Sequence, residues 1–156
     1  MKPGPERCAA ITGIGMITPL GLDVDTCWEA MLRGASGIAP ISHFDASQCR
    51  TRIGGALPAG YALAEKEAFT KRMRRQTNPT TRAGLLCMRQ AVRDSGLDPD
   101  SLAGSAAAVI TGCSGASRQM ANAADDGADA GKYSLLQDMS NSTAAWAAIQ
   151  YGIHGP

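Results

Sequence analysis

Three groups of residues in this chain could do chemistry. The first is the stretch ITGIGMITPLG, residues 11–21. Gly13 and Gly15 follow a β-branched entry, as in the first half of a G-x-G-x-x-G phosphate cradle. Such a cradle needs a third glycine, and it needs free N–H groups at a helix N-terminus aimed at the pyrophosphate. Here the third position is Thr18, followed by Pro19, which has no N–H to offer. The next helical pattern begins only near Asp25. Nucleotide binding is therefore the weaker reading. The better one is a buried strand leaving a sheet into a tight glycine turn.

The second group is the thiols. Five cysteines occur, Cys8, Cys27, Cys49, Cys87 and Cys113, and no pair has C-x-x-C spacing. With only His43 and His154 beside them, no metal set is expected. Cys8, Cys27 and Cys87 fall on faces that read as buried, and Cys49 sits in an irregular, exposed stretch. Cys113 is the tempting nucleophile, because it ends a strand-like run before a glycine-rich turn. Buried free cysteine is most often inert packing. A core or pocket-lining position is expected for Cys113.

The third group is basic. KRMRRQ places Lys71, Arg72, Arg74 and Arg75 within six residues. On its own such a run reads as a solvated helix end, where cations suit the macrodipole. It could equally steer an acidic partner.

These residues sit in a chain of ordinary globular composition: 156 residues, 44% hydrophobic, 19% charged and net +1. That suffices for one domain with a real core, and no global charge argues for nucleic acid. No apolar run is long enough to span a bilayer, and MKPGPERCAA lacks the apolar core of a secretory signal. Reduced thiols in the cytoplasm are the default expectation.

The elements follow from punctuation and periodicity. Residues 1–7 read as a flexible lead-in and residues 8–156 as one domain. Residues 8–15 and 105–112 are short apolar runs ended by glycine, expected to be buried strands. A helix is expected after an Asp25 N-cap, with Trp28, Met31 and Leu32 on one face and Gly34 past its end. A short strand is possible at 51–56. Residues 63–76 read as one charged helical segment. Residues 78–96 read as a helix capped by Asn78, opened by Pro79 and stopped by Gly96, with Leu85, Leu86, Met88, Ala91 and Val92 as its buried stripe. Residues 97–104 are expected to be loop and 113–134 largely mobile. A last helix covers 141–152, with Trp146, Ile149 and Gln150 in its second half. Alternation of strand and helix makes the class α/β.

Taken in order, ITGIGMITPLG, the helix tryptophan Trp28, GASGI, HFDAS, RIGG, AGLLCMRQAVRDSGLD, AAVITGCSGAS and NSTAAWAAIQYGIHGP resemble the N-terminal segment of the β-ketoacyl-acyl-carrier-protein synthases. These are condensing enzymes of the thiolase superfamily that act in fatty acid and type II polyketide synthesis. The resemblance runs from Cys8 to Pro156. It implies the N-terminal part of a thiolase-like α-β-α-β-α layered fold, incomplete in this chain. It also implies a decarboxylative Claisen condensation of an acyl thioester with a malonyl carrier protein.

In that family a cysteine in a T-A-C-A-S/T-type turn is the nucleophile, and two histidines and a lysine complete the site. No word in this sequence matches that turn, so the resemblance implies no catalytic residue here. Neither His43 nor His154 aligns with a catalytic histidine. Cys113 falls on an acyl-pocket position. Tyr133 and Ser134 fall near a residue that reaches across a dimer, and Asn141 matches a family asparagine that holds backbone. Lys71, Arg72, Arg74 and Arg75 fall where the family docks its acidic acyl carrier protein, with Arg72 and Arg75 matching best. No resident cofactor is implied, because the phosphopantetheine arm arrives on the carrier. The implied partners are that carrier and either a second copy or a ketosynthase heterodimer subunit.

Departures mark a divergent member: Thr77-Asn78 replaces the usual M-D, and Ala145 stands where glycine is common. Two readings follow. One is a segment of a condensing enzyme. The other is a non-catalytic ketosynthase-like partner that binds a carrier protein or a full ketosynthase. In either case the chain alone is expected to expose an apolar face.

Overall fold

The computed structural model describes residues 8–104, 106–113, 133, 136–137 and 139–155. The lead-in expected at 1–7 and, apart from Cys113 and Tyr133, the glycine-rich stretch at 113–134 lie outside the described residues.

Five helices and one small ribbon are described. Helix α1 is Val24–Leu32. Its N-cap is Asp23 rather than the expected Asp25: the Asp23 carboxylate accepts the Thr26 N–H at 2.8 Å and the Thr26 hydroxyl at 3.0 Å. Those bonds hold the carboxyl below its ordinary range. Asp25 lies in the first turn, where a negative charge suits the macrodipole. Gly34 ends the helix with φ +67°. The buried face is Cys27, as expected, with Ala30, while Trp28, Met31 and Leu32 are all exposed. The reason is close approach. Thr18 and Gly21 exchange backbone hydrogen bonds at 2.9 and 3.1 Å. The tight loop they close lays Gly21 against Thr26 and Cys27, which leaves room only for small side chains.

Strands β1 (Ala39–Pro40) and β2 (Ile53–Gly54) pair antiparallel, Ala39 opposite Gly54 and Pro40 opposite Ile53. This is the short strand expected within 51–56.

The charged segment expected as one helix is two: α2 (Tyr61–Ala68) and α3 (Lys71–Gln76). Phe69 and Thr70 between them are extended. Phe69 turns into the core, where it is 3% exposed. The Thr70 hydroxyl caps α3 by accepting the Met73 N–H at 3.2 Å. Burial of one aromatic side chain, together with a fresh N-cap, outweighs helix propensity across the break.

Helix α4 (Pro79–Asp94) has the expected punctuation. Asn78 caps it by accepting the Thr81 N–H at 2.6 Å, Pro79 opens it, and Gly96 follows with φ +67°. Leu85 is fully buried, and Leu86, Met88, Ala91 and Val92 are half-buried. A single 3₁₀ turn, Pro99–Leu102, occupies the expected loop. Helix α5 (Ser142–Tyr151) ends at left-handed Gly152. It crosses α4 where Gly84 meets the Thr143 methyl. Phe69, Leu85 and Ala147 form the core among the described residues, with Met73, Leu86, Met88, Val109 and Trp146 packed around them.

The two expected buried strands need correction. Residues 8–15 and 106–113 form no strand, and neither has a ladder partner among the described residues. Ile11 is 87% and Ile110 94% exposed. An apolar run becomes a buried strand only when neighbouring strands and a second layer cover it. Here residues 13–15 are covered on one side alone, by α4.

Candidate functional site

The glycine pair serves packing. A Cβ on Gly13 would overlap the Ala91 carbonyl, and one on Gly15 the Cys87 carbonyl, both on α4. The two missing side chains let the backbone lie directly on a helix. The N–H groups that a phosphate would need are engaged. Ile14 donates to the Asp94 carboxylate at 2.8 Å, and Met16 donates to Gln90 Oε1 at 2.9 Å. Gln90 Nε2 in turn donates to the Leu22 carbonyl at 2.6 Å. Asp94 and Gln90 thus replace the anion, and the nucleotide reading loses its donors.

All five thiols are free. Cys27 is buried, with its sulfur 3.1 Å from the Thr18 hydroxyl. Cys87 is half-buried, and burial pushes its thiol up, away from the nucleophilic thiolate. Cys49 is exposed as expected, while Cys8 is exposed against the expectation of a core position. Cys113 is also exposed rather than packed in a core among the described residues. Both lie in the runs that lack strand neighbours. Among the described residues no group of three His, Cys, Asp or Glu could hold a metal ion, and no helix is long and apolar enough to cross a membrane.

The basic run forms a ridge. Lys71, Arg72 and Arg75 are exposed, and Arg74 is half-buried, with its Nε buried and lacking a hydrogen-bond partner among the described residues. Under the ridge lies a residue that sequence reasoning missed. Arg82 of α4 is 9% exposed. Its Nη1 donates to the Arg74 carbonyl at 3.0 Å and to the Thr77 carbonyl. Its Nε stands 2.5 Å from Glu65 Oε1 of α2, a charge contact rather than an in-line hydrogen bond. The signal was available. Positions 82, 85, 86 and 89 share one helical face, so an arginine there, in line with Leu85 and Leu86, needs a buried partner.

Tyr133 and Asn141 are the remaining candidates among the described residues. Tyr133 is half-buried, and its carbonyl accepts the Gln137 N–H at 3.0 Å. Ser134 lies outside the described residues. Asn141 stands at the N-cap of α5, but its side chain makes no capping bond; its carbonyl accepts the Ala145 N–H at 2.9 Å. Gln137, whose N–H Tyr133 accepts, also donates its Nε2 to the Arg75 carbonyl of the ridge at 2.9 Å.

Known proteins resemble this chain in sequence and in fold. The chain is 36% identical over 93 residues to 3-oxoacyl-[acyl-carrier-protein] synthase 2 of Vibrio cholerae, covering 60% of this chain and 22% of that protein. It is 35% identical over 97 residues to the tetracenomycin polyketide synthase ketoacyl synthase alpha subunit of Streptomyces glaucescens, covering 60% of this chain and 21% of that protein. The chain therefore spans about a fifth of the length of these relatives. The crystal structure of a β-ketoacyl synthase from Burkholderia phymatum superposes with a TM-score of 0.74 at 21% identity, over 94% of this chain and 37% of that one. That likeness shows the α/β, thiolase-like fold, incomplete in this chain. The family model of the β-ketoacyl synthase N-terminal domain matches residues 7–156, and to that family the chain belongs.

Proposed function

We propose that this chain acts as a ketosynthase-like partner: it binds an acidic acyl carrier protein, or a full ketosynthase subunit, without itself transferring the acyl group. The observation that carries this reading is the ridge. Three exposed cations and a half-buried fourth stand on one short helix, ordered from beneath by the protein's own side chains. A cationic ridge raises the encounter rate with an acidic partner and fixes its approach. The exposed apolar run at 106–113 offers a second surface, suited to another ketosynthase subunit. In this reading Cys113, Tyr133, Ser134 and Asn141 belong to a shared acyl pocket or subunit interface. The phosphopantetheine arm comes in on the carrier.

A second reading is favoured by the relatives, whose names describe synthases. Here the chain is the N-terminal part of an enzyme that carries out decarboxylative Claisen condensation. The reacting cysteine takes the acyl group from a thioester. The carbanion left when malonyl carrier protein loses CO₂ then attacks that acyl group, displacing the cysteine thiolate. None of the described thiols has the setting this needs. Cys27 is bonded and buried, and Cys87 is pushed the wrong way.

Binding and acylation separate the two. An acidic acyl carrier protein should bind the chain at low salt and dissociate as salt rises. Arg72→Glu with Arg75→Glu should weaken binding by roughly tenfold or more, the loss expected for reversed interfacial charge. Incubation with an acyl thioester should leave the chain's mass unchanged. No binding at low salt overturns the docking reading, and a covalent acyl adduct restores the catalytic one.

A further inference from the structure

We propose that Arg82 is the positioning residue of the basic ridge: from α4 it holds the C-terminus of α3 folded and fixes where the ridge cations stand. Its consequence for carrier binding rests on the docking reading above; the positioning itself does not.

Helix α3 should not persist unaided. It has six residues, far short of the length at which an isolated helix is stable. Its first turn carries no acidic residue. Lys71 instead places a cation at the positive end of the macrodipole. Lys71 and Arg75, at i and i+4, repel, as do Lys71 with Arg74 and Arg72 with Arg75 at i and i+3. Everything that makes the ridge attractive to an anion makes the helix weaker.

The opposing contacts gather at the C-terminal carbonyls, which a helix leaves without internal partners. The Thr77 hydroxyl donates to the Met73 carbonyl at 2.7 Å. Gln137 Nε2 donates to the Arg75 carbonyl at 2.9 Å. Arg82 takes two more, the carbonyls of Arg74 and of the C-cap Thr77, through one Nη1. It is the only one of the three donors that brings a full positive charge to the negative end of the dipole. Its planar fork serves α3 with one nitrogen while Nε faces Glu65 on α2. Glu65 offsets the buried charge, so Arg82 adds nothing net to the ridge. One side chain thus joins α2, α3 and α4. Loss of it leaves two carbonyls at the helix end and the Glu65 carboxylate without a partner of opposite charge.

Hydrogen exchange of the full, dilute chain tests this with Arg82→Met and Arg82→Lys, alongside titration with phosphopantetheinylated acyl carrier protein at low salt. In Arg82→Met the amides of Arg74, Arg75 and Gln76 should exchange faster by about tenfold or more, the factor that a charge-assisted hydrogen bond is worth. Amides of α4 and α5 should keep their protection, and carrier affinity should fall with the order of α3. Arg82→Lys should lie between, because an ammonium restores charge without the fork. If Arg82→Met does not fold, Arg82→Lys alone decides: exchange in α3 equal to the parent overturns the proposal. Unchanged α3 protection in Arg82→Met overturns it too, and so does a uniform rise across α4 and α5. A parent chain that binds no carrier while Arg82→Met still loosens α3 supports the positioning and overturns only the docking reading.

Discussion

At Gly15 the absence of a side chain is what lets the first apolar run touch α4. A Cβ there would meet the Cys87 carbonyl, which is main chain and cannot step aside without bending the helix. Gly15→Ala should destabilise the fold by about 1–3 kcal/mol, the range for overpacking. Gly112→Ala is the control. Nothing lies within 4 Å of a Cβ at that position, so the change should stay within about 0.5 kcal/mol. Chemical denaturation of the two variants side by side checks the difference, and equal midpoints would contradict the contact. The glycine pair is legible in sequence, as are the Asn78 cap and the Gly34 and Gly96 stops, because each is settled by neighbours a few residues away. The object that Gly15 packs against is not legible, since Cys87 lies far along the chain. The helical face shows that Arg82 needs a buried partner, but which partner was hidden for the same reason. Its partners Glu65, Arg74 and Thr77 are joined only once three helices meet.

At the scale of elements, the seat of α2 on α4 carries a pH dependence. Tyr61 opens α2, is 8% exposed, and donates its hydroxyl to the Pro79 carbonyl at 3.3 Å at the start of α4. Burial, helped by the Glu65 carboxylate, pushes its phenol up to about 12. The ordinary value is about 10. The folded phenol therefore holds its proton more tightly than the unfolded one. Its contribution is fully present below about pH 10 and is lost as pH climbs through about 12. Denaturation midpoints should fall between about pH 9 and pH 12 in the parent chain, and fall less in Tyr61→Phe, which has no proton to lose. Equal slopes in the two chains would place the alkaline loss elsewhere. Helix boundaries divide along the same line. Local rules place α4, where capping and periodicity agree, and the end of α5, where left-handed Gly152 stops it. They fail between α2 and α3, where Phe69 leaves the helix for the core, and at α1, whose inner face is chosen by the backbone of Gly21.

At the scale of the whole molecule, the described residues leave much apolar surface uncovered. Ile11, Ile110 and Ile149 are each more than 70% exposed, and Trp28 and Leu32 stand out from α1. Isolated exposed apolar residues are ordinary. Two apolar runs that carry such side chains and have no ladder partner among the described residues are not. Full burial of each isoleucine would be worth about 1.5–3 kcal/mol, which favours any arrangement that covers it. The chain on its own should therefore self-associate at micromolar concentration and bind a hydrophobic dye. Ile11→Lys together with Ile110→Lys should reduce both while leaving the circular dichroism of the helices unchanged, since neither residue contributes to the Phe69–Leu85–Ala147 core. A ketosynthase subunit that covers these runs should suppress dye binding in the parent chain and lose affinity for the double variant. Light scattering with dye titration, each with and without that subunit, measures all of this. A monodisperse parent chain that binds no dye would mean that the two runs are covered within the chain itself, and the subunit-binding half of the proposed function would lose its surface.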